Sequence, residues 1–229
     1  MRAPITHKTA ILVFALSPHE EMRRKKINGA GLLFSTLSAH TLNTVKKTAL
    51  PYFYLTEKEQ NGISFGERFT NAFQFVYDKG FDQVIAIGND TPHLNASQII
   101  RTADILSEEK VVLGPSTDGG FYLLGMHKVN FNQKSFKSLP WKTMGLNGQF
   151  INEFITVGVE LIQLKRLKDI DDSNDIRYII SYTTGLPIQV FRILLAIIRQ
   201  NPVFYKFGLP LVESHGLGLL HNRGSPIQL

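Results

Sequence analysis

The chain has 229 residues, of which 43% are apolar, and its 25 lysines and arginines outnumber 19 acids for a net charge of +6. That length holds one large domain, or one domain with a small appendage, and the composition is globular rather than disordered or fibrous. The sequence contains no cysteine, which excludes disulfides, thiolate nucleophiles and Cys-ligated zinc or iron–sulfur centres, so a metal must sit on oxygen or imidazole, as Mg2+ or Mn2+ does among carboxylates.

Ala10 to Leu16 is a continuous apolar run without helical period, ended by Ser17-Pro18, and reads as a strand buried on both faces. Leu33, Phe34, Leu37, Leu42 and Val45 favour a helix within 28–47, and Pro51 to Leu55 reads as a second strand. Phe65, Phe69, Ala72, Phe73 and Val76 share one face of an amphipathic helix closed by Gly80. A strand over Val84 to Ile87, a helix over Ser97 to Leu106 and a strand over Val111 to Leu113 follow. The strand Phe121 to Leu124 is reached without an intervening helix, which makes the sheet mixed. Beyond it come a strand at Val159 to Ile162, a helix from Ser173 to Tyr182 and an apolar helix from Ile188 to Gln200. The alternation predicts an α/β fold, a Rossmann-like three-layer sandwich with a mixed, mostly parallel sheet. Residues 1–185 form the expected catalytic domain and 186–229 a helical and irregular extension.

The helix from Ile188 to Gln200 is apolar nearly all round and about 20 Å long, too short to span a bilayer. It must be covered by its own domain, by a second copy in a homodimer wrapped by residues 202–229, or by a lipid surface. Ser17-Pro18-His19-Glu20 follows the first apolar run where a signal peptide would have small residues, so the expectation is a cytoplasmic protein with no transmembrane segment. The positive charge is divided evenly between the tail and the rest, +3 in each, and the run Arg23-Arg24-Lys25-Lys26 lacks interleaved aromatics. Nucleic acid is accordingly not the expected partner.

In an open α/β sheet, ligands bind beyond the carboxyl ends of the strands. Three carboxylate clusters stand there: Gly88-Asn89-Asp90, Asp118-Gly119-Gly120 and Asp169-Ile170-Asp171-Asp172. Each has a local reading as well. Asp118 before two glycines can shape a turn, Asp172 or Ser173 can cap a helix, and Asp90 can bond its own turn. Together, three oxygen-rich clusters suit a divalent cation bridging a diphosphate. Trp141 can stack on a sugar or anchor a core, and His40, His93, His215 and His221 show no metal-ligand spacing.

The segments Gly62 to Phe73, Ile87 to Leu94 and Leu113 to Gly125, with Leu139-Pro140-Trp141-Lys142-Thr143 and Asp169 to Asp175 behind them, resemble the bacterial glycosyltransferase-A-fold nucleotide-diphospho-sugar transferases. Some of these are known as arsenosugar-biosynthesis glycosyltransferases, and phospholactate and molybdenum-cofactor guanylyltransferases share the fold. The resemblance spans roughly residues 8–182. It implies a Mg2+- or Mn2+-dependent transferase acting on a nucleotide or nucleotide-sugar and a small-molecule acceptor. It implies Asp90 and Asp171 as metal ligands with Asp169 nearby, and Asp118 with Gly119 and Gly120 on the acceptor side. Arg23, Arg24, Lys25, Gly88, Asn89 and Trp141 are the implied nucleotide- or substrate-binding residues. Where the family resembles Pro-Gly-x-x-Lys-Thr-Arg after its first strand, this chain has Ser17-Pro18-His19-Glu20-Glu21-Met22, with no glycine and two carboxylates. Three readings stay open: glycosyl transfer, nucleotidyl transfer of the guanylyltransferase type, and a non-catalytic relative with an altered phosphate loop.

Overall fold

The computed structural model describes residues 8–25, 27 and 29–200. The elements in chain order are β1 (Thr9–Phe14), α1 (Pro18–Arg24), α2 (Gly31–Lys46), β2 (Tyr52–Leu55), α3 (Phe65–Asp78), β3 (Gln83–Ile87), α4 (Ala96–Leu106), β4 (Val111–Pro115), β5 (Phe121–His127), α5 (Gln133–Ser138), α6 (Leu146–Thr156), β6 (Leu161–Gln163), α7 (Ser173–Ser181) and α8 (Ile188–Gln200). The strands form one sheet in the order β2-β1-β3-β5-β4-β6. Only β5 runs antiparallel to its neighbours β3 and β4, as its direct connection from β4 requires. The expected mixed sheet is therefore present, with helices on both faces.

Successive residues of each strand point to opposite faces. On one face Ala10, Leu12, Val84, Ala86, Leu113 and Leu124 pack beneath α3, α5 and α6, through Phe69, Phe73, Phe136 and Phe150. On the other, Ile11, Val13, Ile85, Val112 and Leu123 pack beneath α4 and the end of α2, through Ile99, Leu106 and Val45. A third apolar cluster lies outside the sheet, where Leu33, Phe34 and Leu37 of α2 meet Ile176 and Ile179 of α7 and Val190, Leu194 and Ile197 of α8. The apolar helix α8 thus buries one face on its own domain. Residues 202–229, His215, His221 and Lys26 lie outside the described residues. Among those described, no helix is long and apolar enough to cross a membrane.

Three helices escaped the reading of the sequence. α1 carries every local start signal: Ser17 accepts from the Glu20 amide as N-cap, Pro18 opens the first turn, and Arg23 and Arg24 close the last. The segment that departs from the family's glycine turn is therefore a capped helix. In α6 the buried Leu146, Phe150 and Phe154 recur every four residues, a period obscured by Gly145 and Gly148. α5 has a single buried side chain, Phe136, too few for a period.

The packing of α8 makes a prediction. Leu194 is fully buried between α2 and α7, so Leu194→Ala lowers unfolding free energy by about 2–4 kcal/mol through lost burial and a cavity. Urea denaturation checks this, and an unchanged midpoint would show that α8 does not hold the third cluster together.

Candidate functional site

The order β2-β1-β3 reverses chain direction across the sheet between β1 and β3, and that reversal opens a crevice at the strands' carboxyl ends. A cleft of about 480 Å³ occupies it. Backbone pairing brings the acidic segments together there. After β6 the chain continues along the sheet edge: Leu164 N–H donates to Leu113 O at 2.8 Å, Leu167 N–H to Pro115 O at 3.1 Å, and Ile170 N–H to Asp90 O at 3.0 Å. This path carries Asp169 and Asp171, distant in sequence, to the turn that holds Asp90.

An ammonium stands among these oxygens. Lys25, at the C-terminal end of α1, places Nζ 2.6 Å from Asp90 Oδ2, 3.1 Å from Asp171 Oδ1 and 3.4 Å from Glu21 Oε2. The same Nζ donates to the carbonyl of Ile170 at 2.8 Å. Burial opposes the charge of Lys25, but the fields of Asp90, Glu21 and Asp171 outweigh it and raise its pKa. Glu21 is buried on α1, its Oε2 makes no hydrogen bond, and burial pushes its carboxyl up to about 7 against the pull of Lys25. Asp169 accepts from Thr91 Oγ1 at 2.5 Å, and burial with the neighbouring charge of Asp90 pushes it up to about 8. Asp171 is raised by burial, with Lys25 opposing and Asp90 assisting.

Asp118 begins the turn between β4 and β5. Its Oδ1 accepts from Ser116 Oγ and, at 2.9 Å, from the Gly120 amide. Gly119 has φ +93, a conformation that favours glycine, so these glycines set a tight turn that holds Asp118 at the cleft. Asp172 caps α7 in a reciprocal box with Asp175. Asn89 is buried and spends its amide on Leu16 O and Ser38 Oγ, which ties the end of β3 to the end of β1 and to α2. Gly88, Asn89, Asp90, Asp118, Gly120, Arg24, Lys25, Trp141 and Asp169 line the cleft. Arg23 lies outside it, in a bidentate pair with Glu20, and Asp171 borders it through Lys25.

Part of the cleft lining is aromatic, with Phe14, Phe65, Phe121 and Trp141. Trp141 Nε1 donates to Phe136 O at 2.9 Å, and its rings lie against Phe65, Phe69, Phe121 and Phe136 at centroid distances of 5.5, 5.3, 5.9 and 5.1 Å. It is a core anchor with one edge on the cleft. Gly66 makes this possible, since a Cβ there would sit 2.3 Å from Trp141 Cδ1. Phe14, Glu21, Phe65, Arg68, Ser116, Phe121 and Lys142 also line the cleft and were not singled out from sequence. Glu21 and Lys25 were legible as one turn of a helix, four residues apart, had Ser17-Pro18 been read as its start.

Residues 37–143 match a family described as "uncharacterized protein conserved in bacteria" (DUF2064). No curated protein sequence matches the chain. The crystal structure of a "putative nucleotide-diphospho-sugar transferase" from Desulfovibrio desulfuricans G20 superposes with a TM-score of 0.74 at 21% identity, covering 85% of this chain and 98% of that one. That of 4-diphosphocytidyl-2C-methyl-D-erythritol synthase from Anaerococcus prevotii DSM 20548 superposes with a TM-score of 0.53 at 12% identity, covering 78% and 96%. The fold is thus the nucleotide-diphospho-sugar transferase type that the motifs led us to expect.

The raised carboxyls set a pH dependence. Folded Asp169 and Glu21 retain protons that the unfolded chain releases near pH 4, so stability falls as pH climbs from about 4 to 8. Asp169→Asn removes the larger cost and keeps an acceptor for Thr91. In metal-free buffer containing a chelator it should stabilise the fold at pH 8.5 by on the order of 1–3 kcal/mol and change little at pH 4. Thermal melts at the two pH values measure this, and an equal effect at both would refute the assignment.

Proposed function

We propose that the protein is a transferase acting on a nucleotide-activated substrate, and specifically a nucleotide-diphospho-sugar (glycosyl) transferase. The observation that carries this reading is the gathering of Asp90, Asp171 and Glu21 around Lys25, with Asp169 and Asp118 lining the same cleft, at the crevice where the sheet reverses. Fold likeness alone does not fix chemistry; these residues are what support it.

The oxygens around Lys25 also bear on a metal. Two carboxylates completed by substrate phosphates are the usual holders of Mg2+, and Asp90 and Asp171 already share one cation. Among the described residues no three acidic or histidine side chains enclose a metal unaided, and a divalent ion fits this donor set only if Lys25 withdraws. Mg2+ or Mn2+ held by Asp90 and Asp171, with Asp169 behind them, would neutralise charge on the nucleotide phosphates. Lys25 keeps a positive charge beside those phosphates as the leaving group departs. Asp118, fixed through Oδ1 and with no donor to Oδ2 among the described residues, orients the acceptor hydroxyl and takes its proton. The helical form of residues 18–24 favours a catalytic over a non-catalytic reading, because α1 delivers Lys25 to the carboxylates.

Nucleotidyl transfer is the second reading, favoured by the two anchors on Asp118 Oδ1, which suit a positioning group as well as a base. A phosphate acceptor needs no base. Asp118→Asn should therefore cut glycosyl transfer by a factor of about 10²–10⁴ and leave nucleotidyl transfer mostly intact. Calorimetry with Mg2+ and nucleoside triphosphates or UDP-, GDP- and dTDP-sugars tests the common premise: the wild type binds at least one and Asp90→Asn loses it. No binding at millimolar concentration across that panel would end the transferase reading.

A further inference from the structure

The cleft is lined by cations as well as by carboxylates. Arg24, Arg68 and Lys142 all line it, and Lys142 feels the charge of both arginines. Like charges held together in this way need a counter-charge. Arg24 gives Nε to Glu20 at 2.6 Å. Among the described residues Arg68 and Lys142 have no carboxylate partner: Arg68 Nη1 donates to the carbonyl of Ile63 at 3.0 Å, and Lys142 Nζ lies 5.3 Å from the centroid of the Phe65 ring. The neighbouring Glu67 turns to Lys137, at 2.8 Å, so the one acid beside Arg68 is committed elsewhere.

Both cations also stand at positions unfavourable for a cationic, non-glycine residue. Arg68 is in the first turn of α3, where the helix dipole favours an anion and disfavours a cation. Lys142 has φ +61, a left-handed backbone that costs a non-glycine residue free energy and that recurs at ligand-binding positions. Burial, then the two arginines, lowers the pKa of Lys142. An oxyanion between these three groups would relieve the repulsion and use all of their free donors.

We propose that Arg24, Arg68 and Lys142 form an oxyanion subsite that takes a phosphate group in the cleft, where Lys142 lies over the Phe65 ring. The phosphate has two possible sources within the proposed function: the diphosphate of the donor, or an anionic group on the acceptor. The subsite itself requires only that the cleft bind phosphate, so its test does not need turnover.

Titration calorimetry with inorganic phosphate and pyrophosphate at low ionic strength tests it on the full-length protein. Lys142→Asn removes the charge and puts a residue tolerant of positive φ at that position; it should bind pyrophosphate at least tenfold more weakly while its melting temperature holds or rises. Arg68→Gln should weaken binding to a similar extent, whereas Arg101→Gln, the same charge change on α4 across the sheet, should not. Unchanged pyrophosphate affinity in both Lys142→Asn and Arg68→Gln overturns the subsite. Saturating UDP or GDP identifies the source. Competition with phosphate assigns the subsite to the donor diphosphate, and simultaneous binding assigns it to an anionic acceptor. If nothing in the nucleotide and nucleotide-sugar panel binds while the variants still lose phosphate, the transferase reading fails and the subsite stands.

Discussion

One ammonium group holds the candidate site together. Lys25 Nζ contacts oxygens from Asp90, Asp171, Glu21 and Ile170, groups contributed by the end of β3, the strand-edge segment after β6, and α1 itself. Without that charge, the carboxylates would repel one another in a partly buried crevice, and removing one partner from a buried ionic cluster costs far more than the cluster contributes net. The position of α1 follows from this contact. So does the turn of residues 169–171 toward Asp90, which the backbone bond from Ile170 to Asp90 reinforces.

The rest of the cleft is arranged around that pole. Its floor is an aromatic cluster shared with the core, in which Trp141 fits only because Gly66 has no side chain. Asp118 is held at a tight glycine turn by Ser116 and Gly120. Arg24, Arg68 and Lys142 line the same cleft. Cations, carboxylates and aromatic rings line one cleft, which is the combination the proposed function draws on. Several of these groups are held at a cost to stability: the buried carboxyls of Asp169 and Glu21, whose pKa values burial raises, and the left-handed Lys142. Such costs gather at sites built for ligands rather than in scaffolding.

Much of this architecture was legible in sequence because it rests on short-range patterns. The apolar runs of β1 and β3 and the period of α3 follow from burial on two faces or on one stripe. The direct β4–β5 connection alone implied an antiparallel strand. Asp90, Asp118 and Asp169 were identifiable as acids after strands. What local pattern could not give was pairing across the chain. Lys25 reads as one of four consecutive cations, and nothing nearby marks it as the one that crosses to Asp90 and Asp171 while Arg23 turns to Glu20. Arg68 and Lys142 stand about 70 residues apart within ordinary-looking segments, and only the packing of α3 against the Trp141 segment brings them to one cleft. Helix α1 is a different case: its cap, proline and charge order were all present in sequence, but the segment stood out as a departure from the family's glycine turn rather than as a helix start.

The central claim is that Asp90, Asp171 and Glu21 form a cation-binding pole that Lys25 occupies. Thermal and urea unfolding of Lys25→Met, with and without millimolar Mg2+ or Mn2+, measures it directly. In metal-free buffer at pH 8 the variant should lose about 3–5 kcal/mol, and added divalent cation should restore a substantial part of the loss while leaving the wild type nearly unchanged. A variant as stable as the wild type without metal, or one that divalent cations do not rescue, would contradict the account.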